Sequence, residues 1–291
     1  MDLKSMKLIK LLATAMALTL MCYSIVAKAA DLPEIEKRGV LKVVTEDNYA
    51  PFNFMKNGKP DGFHKDILIE LKKYAKGKFK IQQSILPWTG LLAAVSSGQY
   101  DVAITGALIT DDRLKALNFV APVASAQDFY VKRAGDNRIK SVADLSGKTL
   151  GIQAGSALLA RLPELEVMLK KTGGKIGKIV QYQSYPEAYA DLANGRLDYV
   201  INAVISVNDL VKKHPNTFAK GQAVSGHGFV AWPVSKTSPK LLNYLSGFVK
   251  HLKETGKLKE LQIKWFGQAF NNLPDQPITT VKEFHELAGI K

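Results

Sequence analysis

Two stretches far apart in the chain repeat one structural phrase, and that repetition limits the folds open to it. Ser97-Gly98-Gln99-Tyr100-Asp101-Val102-Ala103-Ile104 is echoed by Asn194-Gly195-Arg196-Leu197-Asp198-Tyr199-Val200-Ile201. In each, a helical stretch stops at a glycine, the residue that most readily enters the left-handed turn closing a helix. An aspartate then precedes an apolar run suited to a buried strand. Two lobes built on one plan produce such an echo, and so does chance recurrence of a common helix-to-strand turn. The surroundings alternate in the same way. Val40 to Thr45 reads as a strand, Lys65 to Tyr74 as a helix with Ile67, Leu68 and Leu71 on one face, Phe79 to Ile85 as a strand and Thr89 to Ser97 as a helix. Later come a capped short helix in Ser141 to Gly147, a strand at Lys148 to Ile152, a helix at Ser156 to Lys171, a strand at Lys175 to Tyr182 and a helix at Pro186 to Ala193. A strand from Gly228 to Val234 and a long helix from Pro239 follow. Alternation of this kind predicts α/β layers.

The first thirty residues are set aside from the fold. Lys4, Lys7 and Lys10 precede an apolar run from Leu11 to Val26, and Ala27-Lys28-Ala29 is an A-x-A cleavage signal. This is the pattern of a removable secretory signal, with a run shorter than the ~20 residues that span a bilayer. The mature chain is expected to start at Ala30 or Asp31. Cys22, the single cysteine, lies inside that segment. The mature protein is therefore expected to have no disulfide, no thiolate nucleophile and no cysteine-based zinc site. About 260 residues remain, more than one compact core usually serves, which fits two lobes. The full chain carries +14; without residues 1–30 there are 36 basic against 25 acidic side chains, or +11. The lysines are scattered along helices among acids, with no dense basic run, so a solvated surface is expected rather than a nucleic-acid partner.

One region adds chemistry to this frame. Between Ser97 and Val123 a strand end at Val102 to Ile104 opens into a small-residue loop, Gly106 to Thr110, and then Asp111-Asp112-Arg113. The run Ser97-Gly98 with Tyr100-Asp101-Val102, then Gly106, Ile109-Thr110 and Arg113, then Asn118-Phe119 and Pro122, resembles the bacterial extracellular solute-binding proteins, family 3, the periplasmic amino-acid-type receptors of ABC importers. Lys264-Trp265-Phe266-Gly267 is similar to the family's closing signature, so the resemblance covers nearly the whole mature chain. It implies a two-lobed α/β periplasmic-binding-protein fold of type II, with two crossover strands forming a hinge, placed near Val123 to Phe129 and Gln222 to Phe229. The implied division is 1–29 signal peptide, 30–125 with 226–291 lobe I, and 126–225 lobe II.

The resemblance also implies a set of ligand contacts. Tyr49 stands where relatives stack an aromatic on the solute, and Glu46 where they carry an acid. Trp88, at a loop-to-helix junction, matches a second wall, although tryptophans at such junctions also serve as core plugs. Arg113 inherits the grip on a substrate carboxylate, with Gly106 and Leu108 in the same loop; a planar guanidinium meets both carboxylate oxygens at once. A surface arginine paired with Asp111 or Asp112 is the plain alternative. Gln153, Ser156 and Ala157 form the second-lobe side, where free N–H groups opening the helix from Ser156 attract an anion. Counting from Asp198 puts Ala203 where many relatives have the aspartate that neutralises an α-ammonium, while strand alternation turns Asn202 the other way. Either a modified amino acid, such as an N-substituted or opine-like compound, or a carboxylate lacking that amine is therefore expected, with a shifted register in this loop as the alternative explanation.

Other chemistry is sparse. His64, His214, His227, His251 and His285 have no metal spacing, no G-x-S-x-G occurs, and Gly173 to Lys178 fails the phosphate-loop pattern because Ile179 stands where serine or threonine is required. No cofactor and no catalytic residue are expected. The expected partners are a small carboxylated solute and an inner-membrane ABC permease, with the protein monomeric and periplasmic. A cyclohexadienyl dehydratase-like enzyme on the same scaffold is the alternative, and Glu46 is the one acid placed to serve it.

Overall fold

The computed structural model describes residues 29–290, so the expected export segment up to residue 28, Cys22 included, lies outside the described residues. After α1 (Leu32–Arg38) the chain forms β1 (Val40–Glu46), a small sheet of β2 (Asn48–Tyr49), β3 (Asn53–Lys56) and β4 (Lys59–Asp61), then α2 (Phe63–Tyr74) and β5 (Lys80–Leu86). Next come α3 (Leu91–Ser96), β6 (Val102–Ala103), α4 (Asp111–Ala116), β7 (Leu117–Phe119) and the long β8 (Ala124–Arg133). A 3-10 turn at Val142–Leu145 leads to β9 (Leu150–Gln153), α5 (Ala157–Ala160), α6 (Leu162–Lys170), β10 (Ile179–Tyr182), α7 (Tyr185–Ala193), β11 (Tyr199–Ala203) and α8 (Val204–Lys213). The returning β12 (Phe218–Val230) is followed by β13 (Pro233–Ser235), α9 (Pro239–Glu254), α10 (Lys257–Phe266) and α11 (Val281–Ala288).

The strands form two five-stranded sheets, ordered β5-β1-β6-β13-β7 and β10-β9-β11-β8-β12. In the first, β1 pairs in parallel with β5 and β6, and β13 then runs antiparallel. In the second, β9 pairs in parallel with β10 and β11, and β8 then runs antiparallel. Both sheets thus follow one plan, with the first parallel strand flanked by the second and third. The repeated phrase lies ahead of the third strand each time. Gly98 and Gly195 take left-handed φ values of 80° and 79°. Asp101 accepts the Lys42 N–H at 2.7 Å and pairs with Arg38. Asp198 accepts the Thr149 N–H at 2.9 Å and pairs with Arg138 at 3.0 Å. Each carboxylate satisfies an amide near the start of its sheet's first strand, so the echo is one device used twice and not chance.

β8 and β12 form an antiparallel pair that runs from Ala124↔Val230 to Arg133↔Phe218, with its register broken between Ala223 and His227. Its outer end is tied to the first sheet's side through Val123 N–H to Val230 O at 2.9 Å and Ile109 N–H to Phe229 O at 3.0 Å. The expected crossover segments lie within this pair and its approach. Helix α9 closes the first sheet by burying Leu241, Leu242, Leu245, Phe248, Val249 and Leu252, the i, i+3, i+4 stripe of an amphipathic helix. Beneath it the indole of Trp232 donates to His64 Nε2 at 3.1 Å, and His64 Nδ1 meets Asn53 Oδ1 at 2.9 Å. Burial pulls the His64 pKa down to about 3, so the ring is a neutral core group that anchors the loop carrying Tyr49.

Two expected elements differ. The helix from Ser156 to Lys171 is split at Arg161, whose φ of −96° and ψ of −2° end α5 before Pro163 opens α6. The strand expected at Gly228 to Val234 is two strands in different sheets, because β12 ends at Val230 and β13 begins at Pro233.

Asp101 is almost fully buried, with its side chain 1% exposed against 21% for Asp198. Asp101→Ala leaves an unpaired amide and a guanidinium without its partner, so a loss of about 2–4 kcal/mol in urea-unfolding stability is expected. Asp198→Ala should cost clearly less.

Candidate functional site

The carboxyl ends of the parallel strands are where an open α/β sheet presents its binding loops. The loops after β1, β5 and β6 meet those after β9 and β10 around a cavity of about 20 Å3. Glu46, Tyr49, Trp88, Gly106, Leu108, Arg113, Gln153, Ser156 and Ala157 all line it, and Leu158 and Tyr185 join them. Such a space holds about one water, so a solute enters only if the two sides part.

Arg113 lies in the first turn of α4, whose cap Thr110 accepts its backbone N–H at 3.3 Å. Its side chain turns back into the cavity. Nη1 donates to the Leu108 carbonyl at 2.7 Å, Nη2 donates across to the Gly155 carbonyl at 3.3 Å, and the guanidinium stands 4.9 Å from the Trp88 ring centre. The neighbouring acids are engaged elsewhere, Asp112 with Lys115 at 2.7 Å and Asp111 with His285 at 2.8 Å. The surface-pair alternative for Arg113 is therefore not what the structure shows. Burial lowers the arginine pKa to about 10, opposed by Tyr49 and Glu46, which leaves it a cation at neutral pH.

Glu46, at the end of β1, is buried. Gln153 Nε2 donates to its Oε1 at 3.2 Å and the Thr105 hydroxyl to its Oε2 at 3.2 Å. Burial nevertheless pushes its pKa up to about 7, with Asp47 adding to the rise and Arg113 working against it. Tyr49 stacks between Phe52 and Tyr185, with ring centres 5.3 and 5.8 Å away and planes inclined by 22°. Gly106 is required beneath it, since a Cβ there would stand 2.6 Å from the Tyr49 ring and 2.9 Å from that of Phe52. On the facing side the Ser156 hydroxyl accepts the Leu158 N–H at 3.2 Å. The helix it opens, α5, is a single turn, so the expected pull of a long helix on an anion is not present; the break at Arg161 is the cause.

Ala203 is not brought into this cavity. It is fully buried, opposite Asp128 on β8, and its own backbone begins α8. Asn202, expected on the far face, instead lies at the boundary between the halves: the Tyr49 hydroxyl donates to its Oδ1 at 3.2 Å and its Nδ2 donates to the Tyr189 hydroxyl at 2.7 Å. Alternation sets the parity of a strand but not which face meets the other lobe. Tyr185 was not anticipated either. It follows β10 as Trp88 follows β5, so the repeated plan marks it. A larger cavity of about 410 Å3 adjoins the first at Tyr49 and Tyr185 and continues past Tyr189, Leu210 and Phe218, but Arg113 is not in its wall.

Residues 41–268 match the family model described as bacterial extracellular solute-binding proteins, family 3. The chain is 30% identical over 244 residues to the L-cystine-binding protein TcyJ of Escherichia coli strain K12, covering 81% of this chain and 86% of that one. It is 27% identical over 271 residues to a probable amino-acid ABC transporter-binding protein of Haemophilus influenzae, covering 89% and 97%. Among solved structures, an ancestral arginine-binding protein bound to arginine matches with a TM-score of 0.69 at 30% identity, covering 79% of this chain and 99% of that one. The ancestral amino acid-binding protein AncCDT-1, a precursor of cyclohexadienyl dehydratase, matches with a TM-score of 0.70 at 28% identity, covering 81% and 99%. With its two sheets on one plan and its interlobe cavity, this chain belongs to the bacterial extracellular solute-binding proteins, family 3.

Proposed function

We propose that the protein is the periplasmic receptor of an ABC importer, closing its lobes on a small carboxylated solute of the amino-acid or amino-acid-derivative class, opine-like compounds included. In this reading lobe I is residues 30–125 and 226–291 and lobe II residues 126–225, the protein works as a monomer after export, and the closed form is what an inner-membrane permease receives. The observation that carries the reading is Arg113. A cation with no carboxylate partner among the described residues lines a cavity shared by both halves, 4.9 Å from the Trp88 ring centre, with one nitrogen donating to Gly155 on the far side. A solute carboxylate would exchange the two carbonyl acceptors for a charge-assisted, bidentate one. The relatives' names point to the same class, since TcyJ is named for L-cystine and the ancestral protein was solved with arginine.

The dehydratase-like alternative draws on Glu46, a buried acid in the same cavity with its pKa near neutrality. A proton donor of that kind suits general acid catalysis. Both of its oxygens, however, already accept protein hydrogen bonds, and the cavity wall holds no second acid. Binding is the better-supported reading.

Three outcomes check it. A thermal-shift screen of amino acids, opines and related carboxylates should yield a binder, and calorimetry of that binder should show Arg113→Ala losing about 2–5 kcal/mol of affinity; an unchanged affinity removes Arg113 from the site. Glu46 has its folded pKa raised, from its ordinary 4.5 to about 7. Its contribution is therefore fully present below pH 4.5 and is lost as pH rises through 7, by on the order of 3 kcal/mol. Melting of ligand-free Glu46→Gln should fall less than wild type between pH 5 and pH 8. Finally, purified protein should not turn over prephenate or arogenate; turnover would establish the enzyme reading.

A further inference from the structure

We propose that the cleft takes an N-acylated amino acid with an apolar or aromatic acyl group, its carboxylate on Arg113 and its acyl tail in the larger cavity beyond Tyr49 and Tyr185; this deepens the carboxylate reading and rests on it. The two cavities share those two rings as walls. Tyr49 comes from β2, in the loop after the first sheet's β1, and Tyr185 from the start of α7, after the second sheet's β10. The rings stack with centres 5.8 Å apart, so the partition between the cavities is a contact between the halves and not a wall of either one. Parting the two sides to admit a solute separates the rings and joins both cavities into one space.

The larger cavity, of about 410 Å3, has the size of a small-molecule site and aromatic walls. The stack continues from Tyr185 to Tyr189, 5.8 Å further on with planes inclined by 28°, and Phe218 stands 6.0 Å from Tyr189. Leu210 adds to the same apolar lining. A flat or aliphatic group finds ring surface here and leaves water on entering. The ionisable side chains of this wall offer nothing to an ionised tail. Asp209 and Lys213 pair with each other at 2.7 Å, and His214 stands edge-on to Phe218 with ring centres 6.3 Å apart. A neutral tail enters such a wall without leaving a buried charge unpaired.

The junction between the cavities calls for a neutral linker. Tyr185 is 3% exposed and Ser206 4%, yet the Tyr185 hydroxyl and Ser206 Oγ have no hydrogen-bond partner among the described residues. They lie on the two sides of the partition. The Tyr185 hydroxyl faces Ser156, in the small cavity, and Ser206 faces the Tyr49 hydroxyl, in the large one. Burial pushes both phenols upward and these serines oppose the rise, without the alignment of a hydrogen bond. Asn202, beside them, is already engaged: its Oδ1 accepts from the Tyr49 hydroxyl and from the Ala203 N–H at 2.7 Å, and its Nδ2 donates to Tyr189. A secondary amide brings one donor and one acceptor, and a hydroxyl can serve as either. A bound amide therefore supplies both missing partners. A charged amine would find no free carboxylate in either wall, since both Glu46 oxygens accept protein hydrogen bonds and Asp209 is paired.

The test is calorimetry of wild type and Ala190→Phe with glycine and L-alanine, each as the free amino acid and as its N-acetyl, N-benzoyl and N-benzyl derivative, and with benzamide as a ring that has no carboxylate. Ala190 is an exposed residue of α7 in the wall of the larger cavity, so a phenyl group there fills the space from its rim. Expected is an N-benzoyl amino acid that wild type binds at least about ten-fold more tightly than its N-acetyl, N-benzyl and free counterparts, the order of gain from withdrawing a phenyl ring from water. In Ala190→Phe the ratio of N-benzoyl to N-acetyl affinity should fall toward one. Wild type that binds the N-acetyl and N-benzoyl forms alike, or that prefers the free or N-benzyl amine, overturns the inference and leaves the carboxylate reading standing; this comparison needs no variant. A ratio that survives Ala190→Phe places the tail elsewhere, and benzamide that binds as tightly as N-benzoylglycine makes the larger cavity a site of its own; each overturns the inference. Silence of the acylated forms, where a wider screen of amino acids and opines yields a binder, overturns this inference alone, and silence throughout overturns the carboxylate reading with it.

Discussion

The structure turns on a half-buried guanidinium that bridges two halves. Arg113 donates to a carbonyl of its own loop, Leu108, and to one from the opposite half, Gly155, with the Trp88 ring centre 4.9 Å from its guanidinium carbon. Placing a cation there costs solvation, which the lowered pKa registers. Neutral carbonyls repay part of that cost and an anion would repay more. The cavity's acid, Glu46, is held by Gln153 and Thr105 with its pKa near neutrality, so at neutral pH it offsets the arginine only in part. In the proposed reading, that surplus positive charge is what favours an anionic solute.

Repetition explains how the charge comes to be placed. Both sheets put their first parallel strand between the second and third, so each offers a row of loops at the carboxyl ends. Two such rows facing one another make a cleft without any element built for it alone. The glycine-to-aspartate phrase secures each sheet near the start of its first strand, which leaves the opposite ends free for ligand loops. The join is the β8–β12 pair, whose register breaks beside Asp128. Two-lobed molecules joined in this way close by hinge motion around a ligand, and the present cavity has room for about one water.

Much of this was legible in the residues. Gly98, Asp101, Gly195 and Asp198 were readable because glycine and aspartate report on backbone conformation and exposed amides. Arg113 was singled out by the resemblance of Gly106, Ile109-Thr110 and Arg113 to a family pattern, with a surface pair to Asp111 or Asp112 as the alternative, and the structure turns its side chain to Leu108 and Gly155. What the residues did not show has equally local causes. Tyr185 opens α7, where an aromatic reads as part of an amphipathic stripe. Asn202 and Ala203 were turned the wrong way because parity along β11 says nothing about which face looks across to Tyr49. The split of α5 from α6 follows from the Arg161 backbone, whereas proline in a first turn is compatible with an unbroken entry.

A crystal structure with a screened solute bound tests the central claim most directly. The account predicts that the Arg113 guanidinium leaves its carbonyl acceptors and meets both oxygens of the solute carboxylate at about 2.7–2.9 Å, with Trp88 still against it. A solute seated instead in the larger cavity beside Tyr189 and Phe218, with Arg113 still donating to Leu108 and Gly155, would contradict it.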